Sequence, residues 1–204
     1  MSENLNNVIA SNIHTSSSKE QINIDLDNLL NELSKLKNEA TLLYKNNKIE
    51  EAINKYIEIY KILKKELPKI HIDYSYSYKY DEIMLLYRKI LSKLALCYYI
   101  EGNYTEAIKY DLKVITLEPK NVKSIVRLFN SYSKNNKCLQ AVYYGKLFKD
   151  LDIDLKNKFK GMDKIIEEEE IKLKKMQECN IVIKYFISLL IFFLAILLYY
   201  IIKK

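Results

Sequence analysis

Tyr185 through Ile202 (YFISLLIFFLAILLYYII) carry no charge, and Ser188 alone among them is neither apolar nor aromatic. Such a run cannot form the surface of a soluble domain, so it limits the possible folds more than any other stretch. At about 1.5 Å of rise per residue it covers about 27 Å as a helix, close to the thickness of a thin bilayer. Lys184 precedes it and Lys203 and Lys204 follow it, placed to snorkel to two interfaces. Tyr185, Tyr199 and Tyr200 stand where an aromatic belt belongs. The alternative is a buried core helix, yet a core helix seldom lacks a polar face over about five turns. The expectation is a single-pass transmembrane tail anchor at 185–202, inserted after synthesis, with the preceding chain in the cytosol. Strong hydrophobicity favours the endoplasmic reticulum. Basic residues at both ends also suit the mitochondrial outer membrane, which stands as the alternative.

The 204-residue chain, less this run, leaves room for one domain of ordinary size. With 3 Gly and 2 Pro it is too poor in turn formers for a β architecture. Its net charge of +7 comes almost wholly from lysine, since Arg88 and Arg127 are the two arginines. Guanidinium groups dominate base and phosphate readout, so the charge points to anionic lipid or acidic peptide and away from nucleic acid. Cys97, Cys138 and Cys179 show no paired spacing, as in a reducing cytosol. Cys179 lies near the apolar run, where palmitoylation is an option. The start, MSENLNNVIASNIHTSSSKE, has no signal-peptide pattern and reads as a disordered arm at 1–22.

Between arm and anchor the apolar residues follow helical periods. Ile24, Leu29, Leu30, Leu33, Leu36, Ala40 and Leu43 form one stripe. After the Asn46-Asn47 break, Ala52, Ile53, Tyr56, Ile59 and Tyr60 form a second. Helix pairs follow around 84–100 and 104–117, then 122–134 and 138–150. Short antiparallel pairs bury their apolar faces only by stacking on neighbours. The pairs repeat: Glu106-Ala107-Ile108 and Gln140-Ala141-Val142 place their alanines 34 residues apart. Ala52 precedes Ala107 by 55, one period and 21 residues more, so an insertion near 66–82 separates the first two pairs. That insertion carries Tyr74, Tyr76, Tyr78 and Tyr80 and reads as a loop or an extension of the flanking helices.

A period of 34 is that of the tetratricopeptide repeat, and the middle unit resembles that family closely. Leu91, Leu94, Ala95, Tyr98, Gly102, Tyr104, Ala107 and Pro119 fall on its large, small, aromatic, turn and proline positions. The first unit matches through Leu36, Ala40, Ala52 and Tyr56. In the third, Ile125, Leu128, Tyr132 and Ala141 fit, while Phe129 takes the small position and Gly145 one that is usually aromatic. The resemblance implies an all-α fold: a tetratricopeptide-repeat superhelix of about three helix pairs, a C-terminal capping helix and one transmembrane helix. The repeat domain is expected at 23–150, with units at about 35–68, 88–121 and 122–155, and a capping or stalk helix at 151–179. Phe159, Met162, Ile166, Leu173 and Met176 are expected to pack on the last unit, and Glu167 to Glu170 to pair with Lys172, Lys174 and Lys175 on a solvated, coiled-coil-like face.

No catalytic or metal-ligating set is visible. His14 and His71 lack partners at ligand spacing, and no Gly-rich phosphate loop is present. The expectation is a protein that is not an enzyme and needs no cofactor or metal. Some tetratricopeptide domains grip the C-terminal carboxylate of heat-shock chaperones with a Lys and Asn from the first unit, an Asn from the second, and a Lys and Arg four apart from the third. By resemblance to that subset, Lys37 and Thr41 fall on the first two positions, Lys93 replaces the middle Asn, and Lys123 and Arg127 match the last pair. Amides both donate and accept, whereas Lys93 only donates, which makes the groove more cationic and less selective. From about residue 35 to 176 the order of units is similar to the C-terminal half of the FKBP-type immunophilins, without room for their isomerase domain. Two functions follow as expectations. One is a tail-anchored co-chaperone-like adaptor for acidic chaperone C-terminal peptides. The other is a scaffold or receptor for another protein, such as an organelle-division adaptor.

Overall fold

The computed structural model describes residues 26–74 and 78–202, with side chains at 26–68, 79–152, 154 and 156–194. The arm at 1–22, Lys203 and Lys204 lie outside the described residues, as does the middle of the tyrosine-rich insertion. All regular structure among the described residues is helical: α1 (26–45), α2 (Ile49–Tyr74), α3 (Tyr78–Ile100), α4 (Tyr104–Leu117), α5 (Val122–Lys134), α6 (Cys138–Lys149), the short α7 (Ile153–Lys156) and α8 (Met162–Ile202). Contacts divide the chain into two compact units, Met1–Leu117 and Glu118–Lys204. The insertion lengthens α2 and α3 instead of forming a free loop.

The three helix pairs share one turn. Asn47, Gly102 and Asn136 all have positive φ, at 60°, 79° and 57°. They stand 55 and 34 residues apart, the same spacings as Ala52, Ala107 and Ala141. Each turn closes with the same two bonds: Lys48 N to Leu43 O and Asn47 N to Tyr44 O, Asn103 N to Tyr98 O and Gly102 N to Tyr99 O, Lys137 N to Tyr132 O and Asn136 N to Ser133 O. These satisfy carbonyls that a helix end would otherwise leave orphaned. Glycine and asparagine tolerate the left-handed conformation best, which is why these residues occupy it. Pro119 follows the end of α4, and the Asn121 side chain caps α5 by accepting from Ser124 N at 3.0 Å.

Each turn brings an alanine of the second helix against its partner. Ala40 and Ala52, then Ala95 and Ala107, are fully buried where the helices approach most closely. In the first unit they sit within a core of Leu33, Tyr56, Ile59, Ile90, Leu91 and Leu94. The period is visible in the aromatics as well. Tyr98 stacks on Tyr110 at 5.7 Å, and Tyr132 on Tyr144, 34 residues later, at 5.5 Å.

The third pair inverts the sizes. Phe129 fills the place of Ala95 and is buried, and Gly145 stands where the first pair has Tyr56. A Cβ on Gly145 would lie 2.8 Å from Ile166 Cγ2 and 3.4 Å from Phe129 Cδ2. The room freed by the glycine is therefore taken by the phenylalanine and by Ile166 of α8. That helix docks on α6 through Met162, Ile166 and Glu169, with Leu173 half-buried at the edge. Met176 is exposed, contrary to the expectation that it packs on the last unit. Glu169 is buried, not solvated. Its carboxylate accepts from Ser133 Oγ at 3.2 Å and from Cys138 Sγ at 3.0 Å, so it closes over the α5–α6 turn. Burial, and then the Glu169 carboxylate, push the Cys138 thiol up, which keeps it a donor. Lys149 of α6 adds a 3.1 Å bridge to Glu170. From residue 174 to 194 every side chain of α8 is exposed, so the apolar run is no core helix of either unit.

Two measurements probe this packing. Gly145→Ala gains about 1 kcal/mol of helix propensity but overpacks Ile166, which costs about 1 to 3 kcal/mol. Urea unfolding is expected to show a net loss in the native background and a gain with Ile166→Ala, where the obstructing methyls are gone. The second concerns Tyr144, whose phenol burial first, and then Tyr132 and Tyr143, push up to about 12 from 10.0. Between those values the unfolded chain releases a proton that the folded chain retains. Stability is thus complete below about pH 10 and falls as pH rises toward about 12. Tyrosinate absorbance against circular dichroism, clean in a chain with no Trp, is expected to show ionisation coinciding with unfolding.

Candidate functional site

In the first unit α1 and α3 run side by side in the same direction. Lys79 of α3 bridges Asp27 at 2.9 Å near one end, and the Lys93 ammonium lies 5.2 Å from the centre of the Tyr44 ring toward the other. Between them is a depression of ≈ 310 Å³ walled by Lys37 and Thr41 of α1 and by Lys89, Ile90 and Lys93 of α3, with Tyr56 of α2 beneath. A smaller one of ≈ 110 Å³ adjoins it, shares Lys37 and Lys89, and is bordered by Ser34 and Glu82. Three of the expected site residues, Lys37, Thr41 and Lys93, therefore line one groove.

Some lysines among the described residues are ion-paired, and those of this groove are not. Lys48, Lys55, Lys79, Lys109, Lys149 and Lys172 each pair with a carboxylate. Lys37, Lys89 and Lys93 form no ion pair among the described residues. Three cationic side chains on one depression make it positively charged, which favours a bound anion. Lys89 was not among the expected residues. Its place four residues before Lys93, on the same helical face, is the signal that identifies it.

Thr41 occupies the position of an amide but does different work. Its Oγ1 donates to Lys37 O at 2.7 Å, which uses its one proton. The Tyr56 hydroxyl, 3.2 Å away, is then the donor to Thr41 Oγ1. Burial, the largest influence, holds the Tyr56 phenol above its usual range and so protonated. Both hydroxyl protons are thus committed within the fold, and the three lysines are the cationic donors that line the groove, beside Ser92.

Lys123 and Arg127 belong to the second unit, four apart on α5. Lys123 is exposed. Arg127 is 8% exposed and already engaged within the fold. It lies on a buried polar stripe with Ser124 and Ser131, whose hydroxyls find no partner. Arg127 is thus part of the packing of α5 as well as a candidate ligand group. Among the described residues no three His, Cys, Asp or Glu side chains gather as a metal site would require.

The described units are arrays of antiparallel helix pairs of the tetratricopeptide type, closed by a helix that continues into an apolar run. Among solved structures the chain matches the Hsp90 co-chaperone Cns1 from Saccharomyces cerevisiae (delta69), with a TM-score of 0.52 at 20% identity. The match covers 72% of this chain and 42% of that one, and at this identity it speaks for the fold alone. No protein-family model matches the chain, and no curated protein matches it in sequence.

Proposed function

We propose that this chain is a non-catalytic, membrane-tethered adaptor whose α1–α3 groove binds acidic C-terminal peptides of heat-shock chaperones. The observation that carries the reading is the convergence of Lys37, Lys89 and Lys93, none of them ion-paired among the described residues, on one ≈ 310 Å³ depression. Charge-assisted bonds from ammonium to carboxylate are roughly twice as strong as neutral ones. Lys123 and Arg127, on the second unit, are proposed as further cations that favour acidic peptides. The fold likeness to a protein named as a co-chaperone of Hsp90 supports this class of partner. A second reading, a scaffold or receptor for another protein, gains from Thr41, which has polar partners within the fold, and from Arg127, which is buried and engaged there.

Tethering rests on α8, a single helix of 41 residues with exposed side chains from 174 to 194. A run this apolar is stable only where water is excluded, and a lipid bilayer provides that. The reading is a tail anchor with the helix pairs in the cytosol, at the endoplasmic reticulum, the mitochondrial outer membrane being the alternative.

Titration calorimetry with an acidic peptide bearing a free C-terminus, against its amidated twin, tests the partner. The free form is expected to bind about tenfold more tightly, which is about 1.4 kcal/mol. Lys37→Ala is expected to lose a similar amount, because one charged hydrogen bond contributes about 1.5 to 3 kcal/mol. Equal binding of the two peptides leaves the scaffold reading in place. For the anchor, alkaline carbonate is expected to leave the chain in the membrane fraction and removal of 181–204 to release it. Extraction of the full chain by carbonate rules the anchor out.

A further inference from the structure

We infer that Lys37, Lys89 and Lys93 together form a site for a dianionic phosphate monoester, so that the groove recognises a phosphorylated serine or threonine of its partner. This rests on the reading that the α1–α3 groove is the peptide site, and it names the side chain read there.

The first argument is charge balance. Lys37, Lys89 and Lys93 line one depression, and no carboxylate pairs with them among the described residues. A single carboxylate neutralises one of them. A phosphate monoester carries about −1.5 to −2 at pH 7 and offers three acceptor oxygens, one for each ammonium.

The second is the hydrogen-bond inventory. Lysine has three donors and no acceptor. The Thr41 proton is committed to Lys37 O, and the Tyr56 hydroxyl is directed to Thr41. The lysine donors therefore dominate the groove, which suits a group that only accepts. The floor of Ile90 and Tyr56 is fully buried, which lowers the local dielectric and strengthens the attraction.

The third is asymmetry. The smaller depression shares Lys37 and Lys89 but is bordered by Glu82, which repels an anion there. The dianion is therefore directed toward Lys93, where the larger ≈ 310 Å³ depression has room for a side chain and its backbone. Lys89 belongs to both depressions and is the residue that distinguishes a phosphate site from a clamp for one carboxylate. Walls on two helices and a closed floor suit a peptide side chain better than the plane of a membrane surface.

The test uses the full chain in detergent micelles and three probes: a phosphoserine peptide amidated at its C-terminus, its unphosphorylated amidated twin, and an acidic peptide with a free C-terminus. The phosphopeptide is expected to bind about tenfold or more tightly than its twin at pH 7.5. It should weaken as pH falls through about 6, the second phosphate pKa, while the carboxylate peptide stays unchanged over that range. Lys89→Ala is expected to lose most of the phosphate advantage with unaltered thermal unfolding, and to weaken the phosphopeptide by a larger factor than the free-carboxylate peptide. Lys89→Arg should restore the phosphopeptide. Equal binding of phosphopeptide and twin, no effect of pH, or indifference to Lys89→Ala overturns the inference. So does Lys89-dependent binding to vesicles containing phosphatidylinositol monophosphate in the absence of phosphopeptide binding. Loss of the free-carboxylate peptide alone counts against the chaperone-tail reading and leaves the phosphate site standing.

Discussion

The close approach of two helices at a small residue is the contact on which the remaining packing depends. Where Ala40 meets α2 and Ala95 meets α4, the absence of a larger side chain lets the backbones close, and the flanking Leu94 and Tyr56 fill what remains. That approach needs the chain to reverse in a fixed geometry, which the left-handed residues Asn47, Gly102 and Asn136 supply at the same offset from the following alanine. Turn and contact thus form one device, repeated three times. The stacked pairs Tyr98–Tyr110 and Tyr132–Tyr144 are its by-product, because helices held at one separation bring equivalent side chains to the same spacing.

The third pair shows how far the device can bend. Phe129 at the small position ought to force α5 and α6 apart, but Gly145 gives back the volume and leaves a notch that Ile166 of α8 enters. A tyrosine there, as at position 56, would complete the pair internally and leave α8 nothing to hold. The irregular repeat is therefore the one that can be capped. Glu169 fixes the register of that cap, since its two oxygens accept from Ser133 and Cys138 on either side of the turn.

Sequence spacing alone made the repeat and its turns legible, because both depend on residues close together in the chain. The size swap at Phe129 and Gly145 was visible as a departure, but its meaning lay in a third residue, Ile166, brought in by the fold. Glu169 reads as one of four glutamates in a solvated run, and nothing local marks it as the buried one. In the groove, Lys37, Thr41 and Lys93 were found by position, whereas Lys89 was hidden by the abundance of lysine. Only its place on the same depression as Lys37 and Lys93 separates it from an ordinary solvated side chain. The donor state of Thr41 was equally unreadable, since a hydroxyl proton is assigned by its surroundings and not by its residue type.

The length of α8 links the two halves of the proposed role. Docking on the second unit ends at Leu173, and the uncharged run begins at Tyr185. The segment between is helical and exposed throughout, so at about 1.5 Å per residue it holds the two about 16 Å apart. An unbroken helix makes that spacer stiff, because no Gly or Pro interrupts the hydrogen-bond ladder from Met162 to Ile202. Of its lysines only Lys184 lies within a Debye length of about 8 Å of the run, and the exposed Ile181, Val182 and Ile183 suit the bilayer boundary of the proposed role. In the proposed role, with the tail in a bilayer, the docked end of α8 would hold the second unit at a set height above the lipid. The Gly145–Ile166 contact, with Met162 and Glu169 beside it, then joins the apolar run to the second unit, so the irregular pair is the one through which any pull on α8 passes.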